Sequence, residues 1–328
     1  MRQETRTGYL LTLAAAVVWA ATSPGIKYLI ETEHVPALAV AFWRDAFIAL
    51  ACVLALLAVR PRLLRVDRRA LRSFALIGAI SIGIYHALWV FSIALNGAAV
   101  AIVLIYTFPT FVTFGAWLLF GERIRWPQVL ALALALLGAA LLVRAYDPAV
   151  LRVSWQGTLV GLGTGMAHAG YVLFSQRSVE SRSPWTSLTY TMLFGALTLL
   201  ALWFIAAAIG AAPAATPDIV RAVGGTPGPW LGLLVLALGP TLGGYALFTI
   251  ALRHLPGRIA SLVAMVEAPM SVLIAVILLR ERLEWPQIVG MALILVAASL
   301  PGLLGGVERR AARLGRPAIA VGEPLADI

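Results

Sequence analysis

Phe91–Val143 reads FSIALNGAAVAIVLIYTFPTFVTFGAWLLFGERIRWPQVLALALALLGAALLV, and much of it returns at Phe248–Leu300 as FTIALRHLPGRIASLVAMVEAPMSVLIAVILLRERLEWPQIVGMALILVAASL. The match is tightest where GERIRWPQ at Gly121–Gln128 reappears as RERLEWPQ at Arg280–Gln287, with Pro109 and Pro269 placed similarly upstream. Trp126 and Trp285 stand 159 positions apart, nearly half the chain, so the sequence reads as an internal duplication.

Each copy of the charged tetrad separates two apolar segments, too long for strands and too continuously apolar for one-faced surface helices. A buried hairpin in a soluble domain would share that pattern, and composition decides against it. Hydrophobic residues make up 61% of the chain and charged residues 12%, against about 45–50% and about 25% in an average soluble domain. A lipid-spanning helix takes about 20 apolar residues, each rising about 1.5 Å through a hydrocarbon core near 30 Å. Ten such helices with short loops account for nearly all 328 residues.

The segments fall at about 8–30, 36–59, 71–92, 97–120 and 126–143, then 155–178, 185–210, 228–252, 257–280 and 285–304. The long connection 211–229 is rich in Pro and Gly and reads as exposed, with room for a short interfacial helix. The opening MRQETRTGYLL superficially resembles a signal peptide, but its apolar run exceeds a usual h-region and further spans follow at once. The expected fold is therefore an all-α polytopic membrane protein, with a first five-helix repeat at 1–148 and a second at 149–306. A basic tail at 307–328 is expected to be disordered and cytoplasmic.

Five spans per repeat make the second copy start on the opposite side of the membrane, which is the inverted-repeat topology found in many secondary transporters. Arginine gives a separate test. With the N-terminus inside, eighteen arginines fall in cytoplasmic segments and five outside, namely Arg144, Arg152, Arg221, Arg280 and Arg282. Both termini should then be cytoplasmic.

Several function classes drop out. The formal net charge of +10 sits in short runs between apolar segments, as bilayer topology requires, and forms no stripe for nucleic acid. Cys52 is the lone cysteine, the four histidines show no metal-ligand spacing, and no Walker A loop is present. No metal and no cofactor are expected, and the chain does not read as an enzyme.

Charge inside a span costs about 2.5–3.5 kcal/mol at mid-helix, so the exceptions mark candidate sites. They are Lys27 in the first helix, Arg44 and Asp45 in the second, and Glu267 in the ninth. Arg44 and Asp45 point about 100° apart on a regular helix, so each is expected to meet another helix or a water-filled cavity, as a packing salt bridge, a substrate or gating contact, or a proton relay. Glu267 precedes Ala268-Pro269, where proline removes a helical donor and frees a carbonyl for a protein or water partner. A cavity carboxylate and a structural hinge both fit. Pro109 is the matching break in the fourth helix, with Tyr106 roughly in the place of Glu267, and Pro24 softens the first. His86 and His168 can bond without the full cost of a buried ion; packing accounts for each equally well. Trp19, Tyr85, Trp89, Tyr106, Tyr171 and Tyr245 lie deeper than an interface belt and are candidates for an aromatic cavity wall, whereas Trp126, Trp155, Trp185, Trp230 and Trp285 read as interface anchors. The fifth and tenth helices carry no internal charge and many small residues, which fits a scaffold or dimer contact.

The five-plus-five pattern, Trp19-Ala20, Phe42-Trp43-Arg44 and the duplicated Pro109…Gly121-Glu122-Arg123 and Pro269…Arg280-Glu281-Arg282 together resemble the EamA branch of the drug/metabolite transporter superfamily over about residues 8–304. The resemblance implies a ten-helix basket in which helices one to four and six to nine surround a cavity, with five and ten outside. It implies outward transport of small metabolites, and within the branch the chain is similar to bacterial exporters of amino acids, aromatic ones included. Glu122 and Glu281 match a duplicated acidic position; Arg280, where the first copy has Gly121, departs from the pattern.

The expectation is an amino-acid or small-metabolite exporter working by alternating access in a bacterial inner membrane, as monomer or homodimer. Its partners would be the solute and the lipid bilayer, with proton coupling open and nucleic acid excluded. Efflux of drugs or nucleobase-like metabolites is the transport alternative, and a non-transporting receptor or scaffold is the alternative of another class.

Overall fold

The computed structural model describes residues 3–149, 154–210, 218–279 and 283–313. Glu281 and its neighbours Arg280 and Arg282 lie outside those residues, as do Arg152, the 211–217 part of the 211–229 connection and the tail beyond 313.

Every described element is helical or a turn. The first helix is broken in two, α1 (Gln3–Trp19) and α2 (Thr22–Glu31). Pro24 has no N–H to offer the carbonyl four residues back, Ala20. The hydroxyl of Ser271, far along the chain, donates to that carbonyl at 2.9 Å. There follow α3 (Ala37–Val59), α4 (Arg68–Gly78) and α5 (Tyr85–Ile105), the last two joined through a π-turn at Ala79–Ile84.

Arg68–Ile105 runs as helix without interruption, longer than one crossing allows, and the neighbours of α5 show why. A methyl group placed on Gly161 would meet Ser92 Oγ at 2.8 Å and Leu104 Cβ at 2.8 Å, although twelve residues of straight helix span about 18 Å. The chain therefore doubles back between them. Asn96 holds the reversal, accepting from Ser154 N–H at 3.1 Å at the start of the next repeat.

After α6 (Phe108–Phe120), Gly121 adopts φ 66° and closes the helix in the left-handed region. Then come α7 (Trp126–Leu142), α8 (Trp155–Ser181), α9 (Pro184–Ala208), α10 (Pro227–Leu236) and α11 (Leu242–Ala251), with a second π-turn at Ala237–Thr241. Pro240 sits in that turn, and the carbonyl four residues before it, Leu236, accepts from the Thr241 hydroxyl at 2.7 Å. The described chain ends with α12 (Gly257–Ala264), α13 (Glu267–Leu279) and α14 (Trp285–Arg313). The helix α14 thus runs past 304 into the segment read as tail.

By length and apolarity, seven of the described helical stretches can cross a membrane, and α7 and Trp285–Pro301 are shorter apolar helices. Packing pairs the elements in a way that survives exchange of the first and last parts of the chain. Helix α3 lies on its counterpart α9, α7 on its counterpart α14, and the α1–α11 contact is matched by α5–α8. The α7–α14 pair is backbone-close, since a methyl on Gly138 would stand 2.7 Å from the Gly290 carbonyl oxygen. Their small residues are used within the chain, as a scaffold.

Candidate functional site

Two helix breaks bound the site. Tyr106–Thr107 separates α5 from α6, and Met265–Val266 separates α12 from α13. The breaks are 159 positions apart, so Tyr106 corresponds to Met265, and Phe108 opens one following helix as Glu267 opens the other. This corrects the rough pairing of Tyr106 with Glu267. At the second break, Met265 C=O, which Pro269 cannot serve, accepts from Ala268 N–H at 3.1 Å.

Between these breaks and the break in the first helix lies a cavity of about 190 Å³. Trp19, Tyr85, Trp89, Tyr106, Phe108 and Tyr245 give it aromatic walls, and Arg44, His86, His168 and Glu267 its ionisable groups. Trp19 packs edge-on against Tyr245 at 5.0 Å between centroids, over Gly244, where a methyl would collide with the indole. His168 lies among Tyr85, Phe108 and Tyr171 at 4.8, 4.7 and 6.3 Å.

Arg44, Asp45 and His86 form a closed triad. Arg44 Nε donates to Asp45 Oδ1 at 3.3 Å, and His86 Nδ1 meets Asp45 Oδ2 at 2.9 Å. Arg44 Nη2 lies 2.6 Å from His86 Nε2. A guanidinium only donates, so Nε2 accepts, and Nδ1 carries the proton given to Asp45. The expectation that adjacent Arg44 and Asp45 do not neutralise each other is corrected: the long arginine stem folds back across the angle between them.

Two buried polar atoms of the wall, Thr22 Oγ1 and His168 Nδ1, have no hydrogen-bond partner among the described residues. The Glu267 carboxylate, likewise, has no described ion pair or hydrogen bond. Such groups are ready to meet a solute.

Three expected site residues stand elsewhere. Lys27 is corrected outright: it lies beyond the break, its side chain is 57% exposed, and it faces Glu31 at 4.0 Å. Asp45 is wholly buried behind Arg44. Tyr171 is also behind the wall, its hydroxyl paired with Thr249 at 2.8 Å. Sequence reading missed Thr22, Ser23, Thr241 and Ser271 in the lining. Ser271 was findable, one helical turn after Glu267 and so on the same face. Leu142 and Val143 at the end of α7 also reach the cavity, so the fifth helix is not wholly outside it.

The family model of the EamA-like transporters matches this chain twice, at residues 6–144 and 155–301. The chain belongs to that family. Among curated relatives, an uncharacterized inner membrane transporter, YicL, of Salmonella typhimurium is 26% identical over 316 residues, covering 94% of this chain and 99% of that one. An uncharacterized transporter of Archaeoglobus fulgidus is 26% identical over 242 residues, 73% of this chain and 79% of its own. A crystal structure with 18% identity shares the fold at a TM-score of 0.74, covering 94% of this chain and 99% of its own.

In this EamA-family chain the cavity is sealed at one end of the bundle. There Gly257 N–H donates to Gln176 Oε1 at 2.7 Å, Arg258 pairs with Glu122, and Arg253 donates to the Arg182 carbonyl at 2.9 Å. Arg182 also pairs with Asp67 at 3.2 Å, and the hydroxyls of Thr186 and Tyr190 donate to the carbonyls of Leu63 and Leu64 at 2.9 and 2.6 Å. The cavity is displaced toward the other end, taking the last residues of α7 and the second half of the broken first helix.

Proposed function

We propose that this transporter exports amino acids, aromatic ones included, and related small metabolites across the inner membrane by alternating access. Ten spans in two oppositely threaded repeats, 1–148 and 149–306, carry the motion, with both termini and the 307–328 tail in the cytoplasm. The arginine distribution and the exchange-symmetric packing support that topology, and the likeness to the Salmonella inner membrane transporter supports the membrane.

On that topology the sealed end is cytoplasmic, and the arrangement is the outward-facing one. The observation that carries the reading is the aromatic-walled cavity, built from one chain, with orphan polar groups in its wall. Aromatic faces hold an apolar side chain, and the polar groups satisfy the backbone ends of the solute. A single chain completes the site, so a monomer suffices.

The test is flux in proteoliposomes across a panel of labelled amino acids and metabolites, with and without an imposed proton gradient. Saturable movement of aromatic amino acids is expected. Movement of drugs or nucleobases alone would replace the substrate class, and partner binding without any flux would replace transport itself.

A further inference from the structure

The cavity holds two groups of opposite charge, and they are not equivalent. Arg44 faces it with its charge balanced at contact by Asp45, and the remaining link of that triad holds it to His86. Glu267 has no such counter-ion among the described residues, and Lys27, the other cation of the first helix, turns away to Glu31. Ser271, one turn beyond Glu267, is committed to the Ala20 carbonyl. Counting each charge once, the Arg44–Asp45 pair sums to zero and the cavity keeps one unbalanced carboxylate.

That carboxylate shares the cavity with the rings of Trp19, Tyr85, Tyr106 and Tyr245. Ring faces attract cations and repel anions, and a carboxylate in low dielectric favours an opposite charge far more than it would in water. Both effects select for a cation and against an anion. An amino acid brings one of each.

We propose that Glu267 is the ammonium-binding group of the cavity, and that the solute's own carboxylate is dispensable, so that primary amines with an aromatic or apolar body are substrates. This rests on the transport reading and narrows it. Arg44 then serves as a balanced, fixed wall group, and recognition is set by the amine.

Four probes of one shape separate the possibilities in counterflow and in binding to purified protein by calorimetry: phenylethylamine, phenylalanine, 3-phenylpropionate and 2-phenylethanol, carrying respectively a cation, both charges, an anion and none. Wild type is expected to bind and exchange the amine and the amino acid, and to prefer both at least tenfold over the acid and the alcohol. Glu267→Gln is expected to lose at least tenfold in amine binding, and Glu267→Asp to retain most of it. Where Glu267→Gln fails to fold, by loss of a monodisperse elution peak and a thermal transition, the wild-type ranking and Glu267→Asp decide. Phenylalanine exchange without amine exchange, acid binding that equals amine binding, or amine binding unchanged in a folded Glu267→Gln each overturns the proposal and leaves transport standing. Movement of none of the four, with no amino acid moving either, overturns both.

Discussion

Removing Asp45 tests whether the triad is a unit. Its side chain is wholly inaccessible and accepts at 3.3 Å from Arg44 and at 2.9 Å from His86. Asp45→Ala leaves the guanidinium buried without a counter-ion, and breaking a buried pair in this way costs about 3–5 kcal/mol. Replacing both charged groups by apolar side chains, Arg44→Met with Asp45→Ala, removes the stranded charge together with its partner, a change that is often neutral or stabilising. The two single losses therefore should not add, and a double-mutant cycle should return a coupling of about 2–3 kcal/mol. The assay is equilibrium unfolding of the purified protein in mixed micelles. A parallel readout is the ¹⁵N spectrum of His86, expected to show the Nδ1–H tautomer in wild type and to lose that fixed signature in Asp45→Ala. A cost below about 1 kcal/mol for Asp45→Ala, the value of an ordinary exposed pair, or strict additivity in the cycle, would refute the reasoning.

Gly138→Ala places a methyl 2.7 Å from the backbone oxygen of Gly290; the helices must part, and thermal unfolding should report a loss of about 1–3 kcal/mol, whereas an unchanged transition would deny the close crossing. At the sealed end, Glu122→Gln with Arg258→Gln in a Cys52→Ala background should raise maleimide labelling of Ser261→Cys, a position wholly buried here, several-fold from that side; unchanged labelling would remove the pair from the seal. Asp67 caps α4, its Oδ1 accepting from Ala70 N–H at 2.6 Å, and chiefly that bond, with Arg182 assisting, holds its carboxyl below the ordinary carboxylate value of 3.8. A lowered value means the cap is fully present above the unfolded value and is lost as pH falls through the folded one. Hydrogen exchange at Ala70 should therefore be protected at neutral pH and lose protection only below about pH 4, while Asp67→Ala should lack it throughout.

Much of this architecture was readable because lipid imposes long apolar runs and because duplication repeats Trp126 at Trp285 and, one position out of step, Pro109 at Pro269. What stayed hidden depends on how each helix is rotated against its neighbour. Lys27 looked embedded while the first helix was taken as straight; the break at Ala20–Ala21 turns the following stretch and puts its ammonium at the exposed end. The π-turn at Ala79–Ile84 holds no proline and left no sign, whereas its counterpart at Ala237–Thr241 contains Pro240. Arg44 and Asp45 were legible as costly residues but not as a pair, since their meeting is set by His86 on another helix.

The same physics explains why the site sits where the helices are interrupted. A span in lipid must satisfy each backbone carbonyl, and every proline in the cavity region removes one donor. At two of them a hydroxyl reaches the carbonyl four residues back, Ser271 to Ala20 and Thr241 to Leu236, and at Pro269 a backbone N–H does, Ala268 to Met265. Both hydroxyl residues line the cavity. Ser271 also ties the break of the first helix to the helix that Glu267 begins, so those two interruptions are one joint. A solute drawn to Glu267 would therefore pull on the element that braces the first helix, and Ser271→Ala, which frees the Ala20 carbonyl while leaving Glu267 in place, should slow exchange more than it weakens amine binding. Equal losses in both would mean the bond only shapes the pocket.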